Sequence, residues 1–281
     1  MIPLLATHSL PPSTYLLVFP FQPLNLETLL RNPAPPSDAE AKQIIHDLFT
    51  ALAHLHSIGM IHRDVKPSNI LLASPTGPAY LADFGIAWSP HDPASEAVDR
   101  KITDVGTTCY RAPELLFGQK AYMTAIDLWA AGCVVAEIVH AITLSPTRGV
   151  ERQRGDWTLF NAGALGSELA LVKSIFETLG TPNEKTWPVS FAPSHFFPSA
   201  ISTYPFPNLT LLPTLTPLLR KKEIISLPDW NKMTFVDFPG RTWTEILPHA
   251  SPEMRDLVGG LVKYQSTERM CAADVAGLDV L

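Results

Sequence analysis

The sequence is short of cysteine, of basic charge and of long apolar runs. Its three cysteines, Cys109, Cys133 and Cys271, are widely spaced. That excludes a disulfide framework and a cysteine zinc site and points to a reducing, intracellular compartment, nucleus or cytoplasm. Lysine and arginine number 21 against 27 acidic residues, a net charge of −6, so the basic footprint of a nucleic-acid binder is not expected. No lysine or arginine precedes Arg31, so the charged opening of a signal peptide is missing. The most apolar run, Leu128–Ala136, falls short of the roughly 20 residues that span a bilayer. No membrane association is expected, and no internal repeat is found.

What is present is enough apolar material for a core. Of 281 residues, 46% are hydrophobic and 17% charged, which fits one large or two modest folded domains. Twenty-seven prolines fall mainly in segments that read as loops. Ser37-Asp38-Ala39-Glu40 is a capping box, and Ile44, Ile45, Leu48, Leu52 and Leu55 follow at helical spacing. The pattern predicts an amphipathic helix over 38–57, stopped by Gly59. His46, His54 and His56 lie on or near it without a zinc-type partner spacing, so they read as surface or packed histidines. Residues 124–142 are apolar nearly all round and predict a helix buried on every face. Met254–Tyr264 and Ala272–Leu281 read as final helices. At the other end, Ile2–Ala6 and Tyr15–Phe21, split by Pro11-Pro12-Ser13, read as a strand pair with a turn.

Chemistry concentrates in Ile61-His62-Arg63-Asp64-Val65-Lys66-Pro67-Ser68-Asn69 and Asp83-Phe84-Gly85. Asp64 can orient an attacking hydroxyl and accept its proton. Lys66 can neutralise charge on a transferring phosphoryl group, and Asn69 and Asp83 offer the hard oxygen ligands that Mg2+ prefers. The run Ile70-Leu71-Leu72, the turn Pro75-Thr76-Gly77-Pro78 and Ala79–Ala82 predict two strands that bring both acids to one edge of a cleft.

The two motifs resemble the catalytic loop and magnesium-binding motif of eukaryotic protein kinases. Gly106-Thr107-Thr108-Cys109-Tyr110-Arg111-Ala112-Pro113-Glu114 resembles the end of that family's activation segment, here 83–114. The resemblance implies a mainly α, protein-kinase-like large lobe over 23–281 and ATP and Mg2+ as cofactors. It implies that Thr107 bonds Asp64 and Lys66, which favours Ser/Thr acceptors, and that Glu114 pairs with Arg269. Asp127, in an Asp-x-Trp-x-x-Gly pattern, would hold the catalytic loop from beneath. Arg63 would clamp a phosphorylated residue of the activation segment, placed by an activating kinase. Thr103 is the best candidate, and an unmodified loop threonine is the alternative. Residues 1–22 resemble a remnant of small-lobe strands and hinge. On that alignment Phe19 is the gatekeeper, Pro20 and Gln22 face adenine, Asn25 lies near the ribose and Leu71 is the floor; an ordinary buried strand is the other reading.

Val172–Glu184 with Trp187-Pro188 is similar to cyclin-dependent kinases at the same place, within a family-specific insert over 160–240. The branch resembles the cyclin-dependent-kinase-activating kinases. The proline-rich stretch 191–228 reads as an exposed insert. Arg111 matches the group's proline-directed pattern, whereas Val105-Gly106 stands where the group has two valines. No Gly-x-Gly-x-x-Gly occurs, and the only lysine before Asp64 is Lys42, so most of a small lobe is expected to be lacking and cyclin binding is not expected. The function implied is a Ser/Thr protein kinase passing the γ-phosphoryl group of ATP to a protein substrate. A catalytically silent, partner-binding kinase module is the alternative.

Overall fold

The computed structural model describes residues 1–11, 14–32, 35–143, 157–187 and 227–278. Helix α1 spans Leu26–Arg31 and α2 spans Asp38–Ser57. The start of α2 is fixed locally: Glu40 N donates to Ser37 Oγ (3.3 Å) and Ser37 N to the Glu40 carboxylate (2.7 Å). Its apolar stripe, Ile44, Ile45, Leu48, Phe49, Leu52 and Leu55, is buried. Each such side chain contributes roughly 1.5–3 kcal/mol of burial. Gly59 then takes a φ of 75°, which turns the chain out of the helix.

Helix α3 spans Pro113–Leu116 and α4 spans Ala125–Thr143. α4 is long and apolar enough to cross a membrane, yet its residues are enclosed on all sides by the fold. Helices α5 (Glu168–Leu179), α6 (Trp243–Ile246), α7 (Pro252–Leu261) and α8 (Ala272–Ala276) complete the helical body. α2 packs on α4 and α8, and α4 on α7. Gly132 permits that last approach, because a Cβ there would come within 2.6 Å of Val262. A cluster of Phe117, Phe176, Trp187, Trp230 and Tyr264 packs rings edge to face and stacked beside it.

The strands are few. β1 (Ala6–Leu10) and β2 (Thr14–Val18) form an antiparallel ribbon, and β3 (Leu24–Asn25), β4 (Ile70–Leu72) and β5 (Ala79–Leu81) form a small antiparallel sheet. The β4–β5 hairpin agrees with the sequence expectation; β3 was not expected. The first strand is displaced from the predicted 2–6. The turn pairs Leu10 with Thr14, so the ladder takes the residues beside the turn, and Ile2 N donates instead to Leu81 O (3.0 Å). The last two helices are shorter than predicted or shifted. Ser251 caps Met254 N (3.3 Å) with Pro252 at the first position, which starts α7 early. α8 stops at Gly277. The proline-rich 191–228 stretch, apart from Leu227 and Pro228, lies outside the described residues.

Candidate active site

The site rests on Asp127, one of the few acids buried in α4. Its Oδ1 accepts from Arg63 N (2.9 Å), and its Oδ2 accepts from His62 N (2.9 Å) and lies 3.0 Å from His56 Nε2. One carboxylate thus fixes two successive amides of the catalytic loop. That anchoring lets Arg63 hold a φ of 71°, a left-handed conformation that a non-glycine residue rarely keeps unaided. His62 is fully buried. Burial holds its pKa below the usual value, against the opposing pull of Asp127, the Ala82 carbonyl, Asp64 and Asp83. The neutral ring explains both its contacts: Nδ1 accepts from Asp64 N (3.3 Å) and Nε2–H donates to Ala82 O (3.0 Å).

Asp64 projects from this platform with both oxygens engaged. Oδ1 accepts from Thr107 N (3.0 Å) and Thr107 Oγ1 (2.9 Å). Oδ2 pairs with Lys66 Nζ (2.7 Å) and accepts from Asn69 Nδ2 (3.1 Å). Lys66 Nζ also donates to Thr107 Oγ1 (2.8 Å), closing the ring. Partial burial pushes the Asp64 carboxyl up, but the hydrogen bonds from Lys66 and Thr107 outweigh it and hold the pKa below the ordinary carboxylate range. Asp64 is therefore ionised at neutral pH and acts as an oriented acceptor rather than a strong base.

Asp83 is set by the same loop. Asn69 O accepts from Ala82 N (2.9 Å), and Phe84 stands edge-on to the His62 ring at 4.9 Å. Asp83 takes a φ of 64° and its Oδ1 accepts from Gly85 N (3.3 Å), leaving an exposed carboxylate. The Asn69 amide nitrogen is committed to Asp64 O (2.9 Å) and Oδ2. Its oxygen, Oδ1, takes no hydrogen bond among the described residues. An amide oxygen and an exposed carboxylate on adjoining backbone fit a hard divalent cation such as Mg2+.

Phe19 is exposed and Pro20 half-buried, so Phe19 is not the ordinary buried strand residue of the other reading. Gln22 has a buried Oε1 without a hydrogen-bond partner. Asn25 Oδ1 caps α1 by accepting from Thr28 N (2.8 Å), and Asn25 pairs in register with Leu71, which is half-buried on β4.

In the activation segment, Arg63 is nearly buried and forks onto Glu96, NH1 to Oε1 at 3.2 Å and NH2 to Oε2 at 3.1 Å. Thr103, half-buried, makes no hydrogen bond or ion pair among the described residues. Gly106 has a φ of 76°, a Cβ there would stand 2.5 Å from Arg63 O, and its carbonyl accepts from Arg111 Nε (3.1 Å). Arg269 forks onto Glu114 at 2.6 and 2.8 Å, in a buried pair, and donates further to Lys263 O and Ala125 O. Three residues of the site escaped sequence reasoning. His62 stood in the quoted motif and His56 six residues before it, so both left a signal. Glu96 left none: it is one acid in a polar segment.

These features together describe a fold and site of the phosphoryl-transfer class. The family model described as the protein kinase domain matches residues 4–279, and the chain belongs to that family. The match takes in the β1–β2 ribbon, so it gives no support to the expectation that most of a small lobe is lacking. The chain is 35% identical over 224 residues to the serine/threonine-protein kinase csk1 of Schizosaccharomyces pombe, covering 80% of this chain and 58% of the relative. It is 30% identical over 260 residues to cyclin-dependent kinase 20 of Danio rerio, covering 92% of this chain and 59% of the relative. The chain thus spans less than two thirds of the curated relatives it matches. Among solved structures, the yeast RNA Pol II CTD kinase CTDK-1 complex aligns at a TM-score of 0.73 and 22% identity, covering 99% of this chain and 74% of that one. The CAK complex of Chaetomium thermophilum bound to ATP-gamma-S aligns at 0.71 and 24%, covering 100% and 71%. At these identities the likeness is one of fold.

Proposed function

We propose that this chain carries the catalytic centre of a cyclin-dependent-kinase-like Ser/Thr protein kinase, transferring the γ-phosphoryl group of ATP to a protein hydroxyl. The observation that carries the reading is the closed ring of Asp64, Lys66, Asn69 and Thr107 beside Asp83. In it Asp64 aligns the acceptor hydroxyl and takes its proton as the oxygen–phosphorus bond forms, while Lys66 stands ready to balance charge on the migrating group. Asn69 Oδ1 and Asp83 would hold Mg2+, which when bound neutralises the phosphate oxygens. Phe19, Pro20, Gln22, Asn25 and Leu71 would line the nucleotide base and ribose. Together these residues would supply the floor, hinge and metal ligands of the nucleotide site.

The same geometry supports a preference for proline after the acceptor. An ordinary residue there brings an N–H that needs a partner, and the Gly106 carbonyl is already taken by Arg111. An unmatched N–H costs about 1–3 kcal/mol, and proline has none. Glycine at 106, where the group has a valine, adopts that left-handed turn without strain.

The test is radiolabelled phosphoryl transfer from ATP with Mg2+ to Ser-Pro, Ser-Ala and Tyr peptides. Asp64→Asn and Asp83→Asn should each lower turnover by about two orders of magnitude or more. Transfer that survives both substitutions, or that favours tyrosine, rejects the reading.

A further inference from the structure

The Arg63 guanidinium lies in the fold with an anion already on it. Glu96 Oε1 and Oε2 accept from its two terminal nitrogens, and Oε1 also accepts from Ile102 N (3.4 Å). Glu96 itself is held in place. Its carbonyl accepts from Trp88 Nε1 (2.8 Å), and Trp88 exchanges both backbone hydrogen bonds with Ile61 (2.9 and 2.8 Å), two residues before Arg63. Tyr122 closes the far side, with its hydroxyl donating to Ile102 O (2.6 Å) and its ring 5.5 Å from the guanidinium. The carboxylate therefore joins the backbone at Ile102, next to Thr103, to the residue that precedes Asp64.

Charge counting separates this anion from a phosphate. One guanidinium and one carboxylate cancel. A phosphothreonine carries about −1.5 to −2 charges and needs more than one cation. The neighbouring cation is Lys101, fully buried, but its ammonium is spent on the carbonyls of Val98 and Tyr122 (2.8 Å to the latter) and faces the Trp88 ring at 4.5 Å. Of the three guanidinium nitrogens of Arg63, Nε makes no hydrogen bond among the described residues, and the other two already face Glu96.

We propose that Glu96 is a built-in substitute for an activating phosphate: a positioning residue that holds the activation segment on the catalytic loop with Thr103 unmodified. The regulatory part of this inference rests on the kinase reading; the clamp itself does not.

The experiment uses the full chain, treated with phosphatase until mass spectrometry finds no phosphate. Amide hydrogen exchange of residues 97–106 is followed in wild type, Glu96→Gln, Glu96→Asp and Thr103→Ala, with α4 as the internal control for folding. Wild type and Thr103→Ala should be equally protected. Glu96→Gln should exchange about tenfold faster or more in that segment alone, with Glu96→Asp in between. In the transfer assay kcat should fall in the same order while KM for ATP moves little. Protection that is lost on phosphatase treatment, or unchanged in Glu96→Gln, overturns the proposal. If no variant, wild type included, transfers phosphate, the kinase reading fails and the exchange pattern alone still decides the clamp.

Discussion

The catalytic loop and the β1–β2 ribbon are held by different physics. The loop sinks Ile61, Val65 and Pro67 into the core, and its backbone is fixed besides at His62 and Arg63 by a single buried carboxylate. The ribbon is rich in apolar side chains and buries few of them: Tyr15 is 73% exposed, Leu16 48% and Leu17 56%. Its strands pair with each other and tie to the body by Ile2 N to Leu81 O. A two-stranded ribbon of this kind is marginal alone in water. Apolar content alone therefore does not locate the rigid part of this molecule; what does is burial of that apolar surface together with satisfied polar groups in a low-dielectric interior.

The largest effect should come from Asp127→Ala, which strips the acceptor from two buried amides at once. A loss of about 3–5 kcal/mol in urea unfolding is expected, together with collapse of turnover. A stable, active variant would remove the basis of the comparison. Next is Gly106→Ala. The left-handed backbone and the clash with Arg63 O should cost about 1–3 kcal/mol and lower kcat about tenfold or more, because the shift is transmitted to the residue before Asp64.

A smaller effect is tied to pH. His62 is held neutral by burial, so below about 6.5 the unfolded chain binds a proton that the folded chain refuses. Stability contributed by this group is fully present above that pH and falls as pH drops, by at most about 1.4 kcal/mol per unit. Comparing urea midpoints at pH 7.5 and 5.5 in wild type and His62→Asn checks it; equal slopes would assign the pH dependence elsewhere. Smallest of all should be Leu16→Ser or Leu17→Ser in the ribbon. Each should stay within about 0.5 kcal/mol of wild type, and ribbon amides should exchange far faster than those of α4. A large loss from either serine would mean that the ribbon is packed as tightly as the loop.

Much of the site was legible before any coordinates. Asp64, Lys66, Asn69 and Thr107 stand at informative spacings, and the structure brings them within hydrogen-bond reach of one another. α2 was readable to the residue because its start signal, Ser37 with Glu40, is complete within one turn. The first strand of the ribbon begins four residues later than expected, at Ala6. Apolar content pointed to 2–6, whereas the turn dictates pairing from Leu10 and Thr14 outward. Arg63 was expected to clamp a phosphorylated residue, with Thr103 the best candidate and an unmodified threonine the alternative; in the unphosphorylated structure its partner is Glu96. No periodicity or cap marks that acid, which lies 33 positions along the chain from its partner.

By itself the sequence determined the two long helices α2 and α4, the cap of α2 and the set of chemically able side chains, because those depend on neighbours within about one helical turn. Tertiary structure alone decided that Glu96 meets Arg63, and it brought together the pairs that the family resemblance implied, Asp127 beneath the loop and Glu114 on Arg269. Such pairs join positions far apart in the chain, and their strength comes from the water excluded around them, which exists only after the helices have packed.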